Sequence, residues 1–151
     1  MYSAVLLIHS WLRWIALVAA VGVTLAALRN RVEGDRSIAD RWGLAAMTAL
    51  DFQMLLGLLL YFALSPFTTE ALQNFSAAMK NPQLRFWAVE HSSSMFAAVI
   101  LAHVGRALAR KARTPSAKRM RLLVCFGLAT VLILLGMPWP GLTNGRPLFR
   151  T

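Results

Sequence analysis

The chain has 151 residues, of which 58% are apolar, and its 16 Lys and Arg residues against 6 Asp and Glu give a formal charge of +10. Soluble domains contain about 45 to 50% apolar residues, so the excess indicates a membrane protein. Nucleic-acid binding is not favoured, because the basic residues cluster between long uncharged runs. The single cysteine, Cys125, excludes an internal disulfide and any multi-cysteine metal site.

Four apolar stretches are long enough to cross a membrane. A helix needs about 20 residues to span the hydrocarbon core, and the stretches that satisfy this are residues 4–28, 43–64, 86–105 and 120–138. The first is predicted to be a retained span, because no basic residue precedes it and its apolar run exceeds that of a typical signal peptide. The sequence therefore predicts an all-α, integral-membrane four-helix bundle that forms one domain over residues 1–151.

The basic residues predict the orientation of this bundle. Most of them lie in the first and third connections between spans: Arg29, Arg31, Arg36 and Arg41 in the first, and Arg106, Arg110, Lys111, Arg113, Lys118, Arg119 and Arg121 in the third. Cytoplasmic loops of membrane proteins carry an excess of Lys and Arg. We therefore expect these two connections in the cytoplasm and both termini on the periplasmic side.

The second connection, residues 65–85, is predicted to contain a short amphipathic helix on the outer membrane surface. Its apolar residues recur at intervals of three and four, namely Phe67, Ala71, Leu72, Phe75 and Met79. Five aromatic residues near the outward ends of the spans favour an interfacial belt, with lining of a site as the alternative for some of them: Trp11, Trp14, Tyr61, Trp87 and Trp139.

Two histidines inside the spans are the strongest candidates for chemistry. Ionisable groups in membrane helices are costly and are functional candidates by default, and the predicted topology places His9 of the first span and His91 of the third in the outer half of the bundle. Two neutral imidazoles that face each other from separate helices can ligate one haem iron. We predict one haem b with His9 and His91 as its metal ligands. Hydrogen bonding between the helices without a cofactor is the alternative.

Arg13 and Glu90 are assigned to the same cofactor site. Arg13 lies four residues after His9, on the same helix face and one turn deeper. It is expected to pair with a haem propionate or with Glu90, either of which offsets the cost of an intramembrane guanidinium. Glu90 precedes His91, and its alternatives are proton chemistry beside a propionate or quinone, or a salt bridge with Arg13 or Arg85.

Two further ionisable residues, His103 and Asp51, are expected to lie outside this site. A second bis-histidine site would need a fourth histidine, and the chain has three. His103 is therefore predicted to lie near the headgroups, bonded to a backbone carbonyl or water; a second haem completed by Met47 or Met54 is the alternative. Asp51, near the middle of the second span, is predicted to join helices through a hydrogen bond, with a role as a proton-relay acid as the alternative.

Four sequence blocks resemble a family of small bacterial four-helix membrane proteins labelled "cytochrome b". The blocks are HSWLRW at 9–14, QMLLGL at 53–58 with YF at 61–62, RFWAVEH at 85–91, and PWP at 138–140, and they occur in order over nearly the whole chain. The resemblance implies a multi-pass protein of the bacterial cytoplasmic membrane. It marks the shared polar or aromatic positions as His9, Arg13, Gln53, Arg85, Glu90, His91 and Trp139, and His103 is outside the pattern.

These observations predict a small b-type cytochrome that transfers single electrons. It would act as an electron carrier or accessory subunit beside a larger respiratory or photosynthetic complex, or with a quinone, and not as a stand-alone enzyme. The first alternative is an accessory subunit without a cofactor. The second is a small dimeric transporter that uses Asp51 as its proton-coupled acid.

Overall fold

The computed structural model describes residues 1–34 and 36–149; Asp35, Arg150 and Thr151 lie outside this part. Within it the chain is all-α. The helices are α1 Tyr2–Leu28, α2 Ile38–Leu64, α3 Pro66–Gln73, α4 Phe75–Lys80, α5 Pro82–Arg110 and α6 Pro115–Gly136. Four of them, α1, α2, α5 and α6, are long and apolar enough to cross a membrane. The prediction of a four-helix membrane bundle is therefore confirmed, and the chain is a multi-pass membrane protein.

Several spanning helices extend beyond the apolar stretches that predicted them. Helix α2 begins at Ile38, where the Ser37 side chain and the Asp40 carboxylate form a reciprocal capping box. Helix α6 begins at Pro115 after Thr114, whose hydroxyl accepts a hydrogen bond from the Ala117 amide. Hydropathy detects only the apolar part of a helix, whereas Arg and Lys are themselves good helix formers and continue it outside the hydrocarbon.

Small residues pack the spanning helices together. The core contains many fully buried alanines, and its largest fully buried side chain is Phe126. At Gly105 of α5 a side chain would collide with Cys125 of α6, which is buried as an unpaired thiol. Transmembrane helices associate through such small residues, because these let the backbones approach closely. The close packing fixes the relative rotation of the helices and hence which side chains meet inside the bundle.

The predicted amphipathic helix of the second connection is divided into α3 and α4. Asn74 breaks it, because this residue adopts a non-helical backbone conformation and its side chain accepts a hydrogen bond from the Ala77 amide at the start of α4. Phe67 and Met79 pack against a small core at this end of the bundle, whereas Leu72 and Phe75 are half exposed. The two short helices cover the ends of α2 and α5.

The C-terminal tail, residues 137–149, folds back over the same end of the bundle. Arg13 and the Trp14 indole nitrogen of α1 donate hydrogen bonds to the Leu148 carbonyl, at 2.6 and 3.0 Å. Helix α3, helix α4, the start of α1 and the tail therefore lie together, and we call this end of the bundle the capped end. At the opposite end the ion pair of Lys118 with Asp40, 2.6 Å long, connects α6 to α2.

Candidate functional site

A cavity of about 570 Å³ lies at the capped end between α1, α2 and α5. This volume is within the range of about 300 to 1,000 Å³ that is typical of ligand sites. Most of the lining is apolar, and the charged or strongly polar side chains in it are His9, Arg13, Gln53, His91 and Arg146. Among the described residues no Asp or Glu lines the cavity. An apolar cavity with a few convergent polar groups is the usual form of a cofactor or ligand site.

His9 and His91 meet in this cavity. Their ring centroids are 6.3 Å apart and the ring planes are inclined by 67°. His9 comes from α1, and His91 follows directly after a π-helical turn of α5, Phe86–Glu90. Such turns rotate the residues that follow them and are frequent at functional sites. The structure therefore brings together the two histidines that the sequence singled out, which are 82 positions apart.

The orientation of His91 is fixed by the end of α6. Its Nδ1 lies 2.8 Å from the carbonyl oxygen of Gly136, the last residue of that helix, whose carbonyl has no partner within the helix. An imidazole that donates through Nδ1 keeps a free lone pair on Nε2. A Cβ at position 136 would lie 2.5 Å from the end of the Met95 side chain and 3.0 Å from the Ser94 Cβ, so glycine favours the close approach of this carbonyl to α5. Metal-ligating histidines are oriented by the same type of hydrogen bond.

The position of His9 is fixed through its backbone. The Gln53 side chain donates from Nε2 to the His9 carbonyl at 3.0 Å, and Gly57 lies beside the imidazole ring. The His9 Nδ1 is buried and has no hydrogen-bond partner within the described part of the chain. The same holds for the Gln53 side-chain oxygen and the Trp87 indole nitrogen. Buried polar atoms without partners are costly. Their concentration around one cavity favours a bound group that would supply these atoms with hydrogen-bond partners.

The donor set of this cavity fits a haem better than a bare metal ion. A metal that bonds one nitrogen of each imidazole from opposite sides holds the ring centroids about 6 Å apart, since metal–imidazole bonds are about 2.0 Å long. The two rings have this spacing. Within the described residues no group of three or more His, Cys, Asp or Glu could hold a metal ion. Two imidazoles suffice for a haem iron, because the macrocycle supplies the other ligands.

Arg13 is at the cavity, but Glu90 is not. Arg13 lines the cavity, its Nη2 donates to the Pro147 and Leu148 carbonyls, and its Nε is buried without a partner within the described residues. The Glu90 carboxylate instead accepts a hydrogen bond from Arg85 at 2.7 Å, and both side chains are about half exposed. Of the two salt bridges considered for Glu90, the structure contains the one with Arg85. The assignment of Glu90 to cofactor binding gains no support from this position.

The structure pairs His103 with Asp51. The His103 Nε2 lies 2.7 Å from the Asp51 carboxylate, and this contact joins α5 to α2. The prediction that His103 bonds a backbone carbonyl or water was therefore wrong in its partner, whereas Asp51 does join two helices. Hydropathy and helical spacing do not fix which faces of two helices meet, so the pair was not foreseen.

Two of the predicted belt aromatics line the cavity. Trp87 is one, and Tyr61 is the other, with its hydroxyl donating to the Ala88 carbonyl at 3.0 Å. Trp14 instead packs against Trp139 of the C-terminal tail, with ring centroids 6.2 Å apart. Among the charged residues that line the cavity, Arg146 was not predicted from the sequence. Its only sequence signal was its place in a tail after the PWP block, which does not reveal that the tail turns back.

Comparisons of the chain with family models, with curated proteins and with solved structures found no match. The function is therefore argued from the cavity and its side chains.

Proposed function

We propose that the protein is a small membrane cytochrome that binds one haem b between His9 and His91 and transfers single electrons. The observation that supports this most is the meeting of the two imidazoles from α1 and α5 in one cavity, 6.3 Å apart. His91 has its Nδ1 engaged by Gly136, and the buried Nδ1 of His9 has no partner among the described residues. The His91 bond is of the type that orients metal-ligating histidines, and the unpartnered Nδ1 of His9 is a nitrogen that a bound group would engage.

Haem held by His9 and His91 would supply a one-electron iron couple, which suits electron transfer and not substrate activation. The chain's own residues would hold and orient this group. Gly136 and Gln53 position the two histidines, and the apolar lining excludes water. Burial and nearby charge set the reduction potential of such a site. Arg13, the one arginine or lysine of α1, lines the cavity and would contribute positive charge there.

The proposed setting is the bacterial cytoplasmic membrane, with the capped end facing the periplasm. The connections α1–α2 and α5–α6, together with the helix ends that adjoin them, carry most of the basic residues and would lie in the cytoplasm under the positive-inside rule. Electron transfer requires a donor and an acceptor, and we propose that these are provided by a larger respiratory or photosynthetic complex or by a quinone.

The proposal is tested with the full chain, produced with an adequate haem supply and purified in mild detergent. The pyridine-haemochrome assay should give one haem b per chain, and the reduced-minus-oxidised spectrum should show a b-type α band. His9→Ala and His91→Ala should each abolish this band. His103→Ala is the matched control and should keep it, because His103 lies outside the cavity. Protein without haem under these conditions would contradict the proposal.

A second candidate is an accessory subunit without a cofactor. It is favoured by the edge-to-face contact of the two imidazoles and by the bond to Gly136, which together join α1, α5 and α6. In that case His91→Ala would lower the thermal stability of protein that contains no haem at all. Gentle solubilisation of native membranes would then identify the complex that the subunit serves.

A further inference from the structure

The C-terminal tail forms a compact turn that is held against the capped end. After α6 ends at Gly136, the Gly145 amide donates to the Leu142 carbonyl and the Arg146 amide donates to the Pro138 carbonyl. A side chain at Gly145 would lie 2.6 Å from the Trp139 carbonyl oxygen, so the turn needs glycine there. These bonds fix the position of Arg146 relative to the end of α6.

The tail delivers the Arg146 side chain to the cavity. Its guanidinium lies over the rings of Phe67 and Trp87, 5.3 Å from each ring centroid, and Arg146 is among the residues that line the cavity. Aromatic faces attract a guanidinium and hold it without using its hydrogen-bond donors. Within the described residues Arg146 forms no salt bridge. Its donors therefore remain available to a group in the cavity.

Arg13 reaches the same cavity from α1. Its Nη2 is occupied by the two tail carbonyls that follow Arg146, those of Pro147 and Leu148. Its Nε is buried and has no partner within the described part of the chain. One guanidinium thus holds the tail in place and keeps one buried donor without a partner among the described residues.

The charge of the cavity is unbalanced. Two arginines line it, and among the described residues no acidic residue does so. Glu90, which precedes the cavity residue His91, is paired with Arg85 instead. Charged side chains at membrane depth are expected to be paired or to serve a ligand. Arginine binds carboxylates through paired, charge-assisted hydrogen bonds. The cavity therefore suits a largely apolar ligand that carries carboxylate groups.

We infer that Arg146, together with Arg13, binds the propionate carboxylates of the haem and that the C-terminal tail is a structural part of the cofactor site. This inference rests on the proposed function. It adds Arg146 as a binding residue and an orientation of the haem within the cavity. The carboxylates would lie toward the tail, and the opposite edge of the macrocycle, which carries the vinyl groups, would lie toward the interior of the bundle. Arg146 acts as a binding residue and not as an iron ligand.

The test is a titration of the detergent-purified apoprotein with two probes, haem and haem dimethyl ester, whose propionates are neutral. Wild-type protein should bind haem on the order of tenfold or more tightly than the ester, as charge-assisted hydrogen bonds imply. Arg146→Gln should remove most of this difference by weakening haem binding alone, and Arg146→Lys should retain part of it. Arg113→Gln is the matched control, because Arg113 lies in the connection at the opposite end of the bundle.

The outcomes separate this inference from the proposed function. Equal affinity of wild-type protein for both probes, or an Arg146→Gln variant with unchanged preference, overturns the inference and leaves haem binding by the histidines intact. Equal weakening of both probes in Arg146→Gln also overturns it, since the residue would then only stabilise the tail. Wild-type protein that binds neither probe overturns the proposed function and the inference together.

Discussion

Two histidines in the spanning helices lie in different regions of the bundle, and their imidazoles have different hydrogen-bond partners. His91 faces His9 in a cavity at the capped end, with Nδ1 bound to a helix-end carbonyl. His103 lies on the outer surface of the bundle, where its side chain is 47% exposed and bonded to the Asp51 carboxylate, itself 42% exposed. One imidazole keeps a nitrogen lone pair available in a cavity, whereas the other is engaged by an acid on the surface.

The comparison shows that a histidine in a membrane span indicates function only through its neighbours. Asp51 provides His103 with a partner inside the same chain, so this contact is complete without a ligand. The cavity around His9 instead contains several buried polar atoms without partners among the described residues. The proposed cofactor would therefore lie beside the cavity histidines and not beside the surface pair.

The largest loss of stability and haem content is expected from a substitution at Gly136, whose carbonyl orients His91. Gly136→Val should lower the free energy of unfolding by about 3 kcal/mol, because the added side chain overlaps Met95 and Ser94. It should also reduce the haem content, since the carbonyl moves away from the His91 Nδ1. Denaturant unfolding in detergent and the pyridine-haemochrome assay measure the two effects.

The matched control for this substitution is Gly127→Ala on the same helix. A side chain at Gly127 meets no atom within 4 Å, so its haem content and stability should stay close to wild type. Equal behaviour of the two variants would contradict the assigned role of Gly136.

A moderate effect is expected at Gln53, which positions His9. Gln53→Leu removes the hydrogen bond to the His9 carbonyl and should weaken haem binding by about fivefold to tenfold, as the loss of about 1 kcal/mol implies. Titration of the apoprotein with haem measures this change. Unchanged affinity would mean that α1 alone positions His9.

The smallest effect is expected at the surface pair. Asp51→Asn should cost about 0.6 kcal/mol of stability, the average for hydrogen bonds between membrane helices, and at most about 1.7 kcal/mol, and it should leave haem content unchanged. A double-mutant cycle with His103→Ala should give a coupling energy of this size. If Asp51→Asn instead abolished solute uptake into vesicles by protein that contains no haem, the transporter alternative would replace the cytochrome.

The sequence was sufficient for the spans and for the two cavity histidines, because hydropathy and the cost of ionisable groups in lipid are local properties. It was not sufficient for contacts that depend on helix rotation or on chain reversal. The Asp51–His103 pair requires that particular faces of α2 and α5 meet. The bond from Gly136 to His91 and the placement of Arg146 require that α6 ends beside α5 and that the tail folds back. Glu90 was adjacent to His91 in sequence, yet its side chain pairs with Arg85.

The most direct test of the central claim is near-infrared magnetic circular dichroism of the ferric full-length protein, which identifies the axial ligands of a haem iron. Coordination by two imidazoles, lost in both His9→Ala and His91→Ala and kept in His103→Ala, is the expected result. A spectrum with a single imidazole, a methionine ligand, or bis-imidazole ligation that survives in His9→Ala or His91→Ala would contradict the claim that these two residues hold the haem.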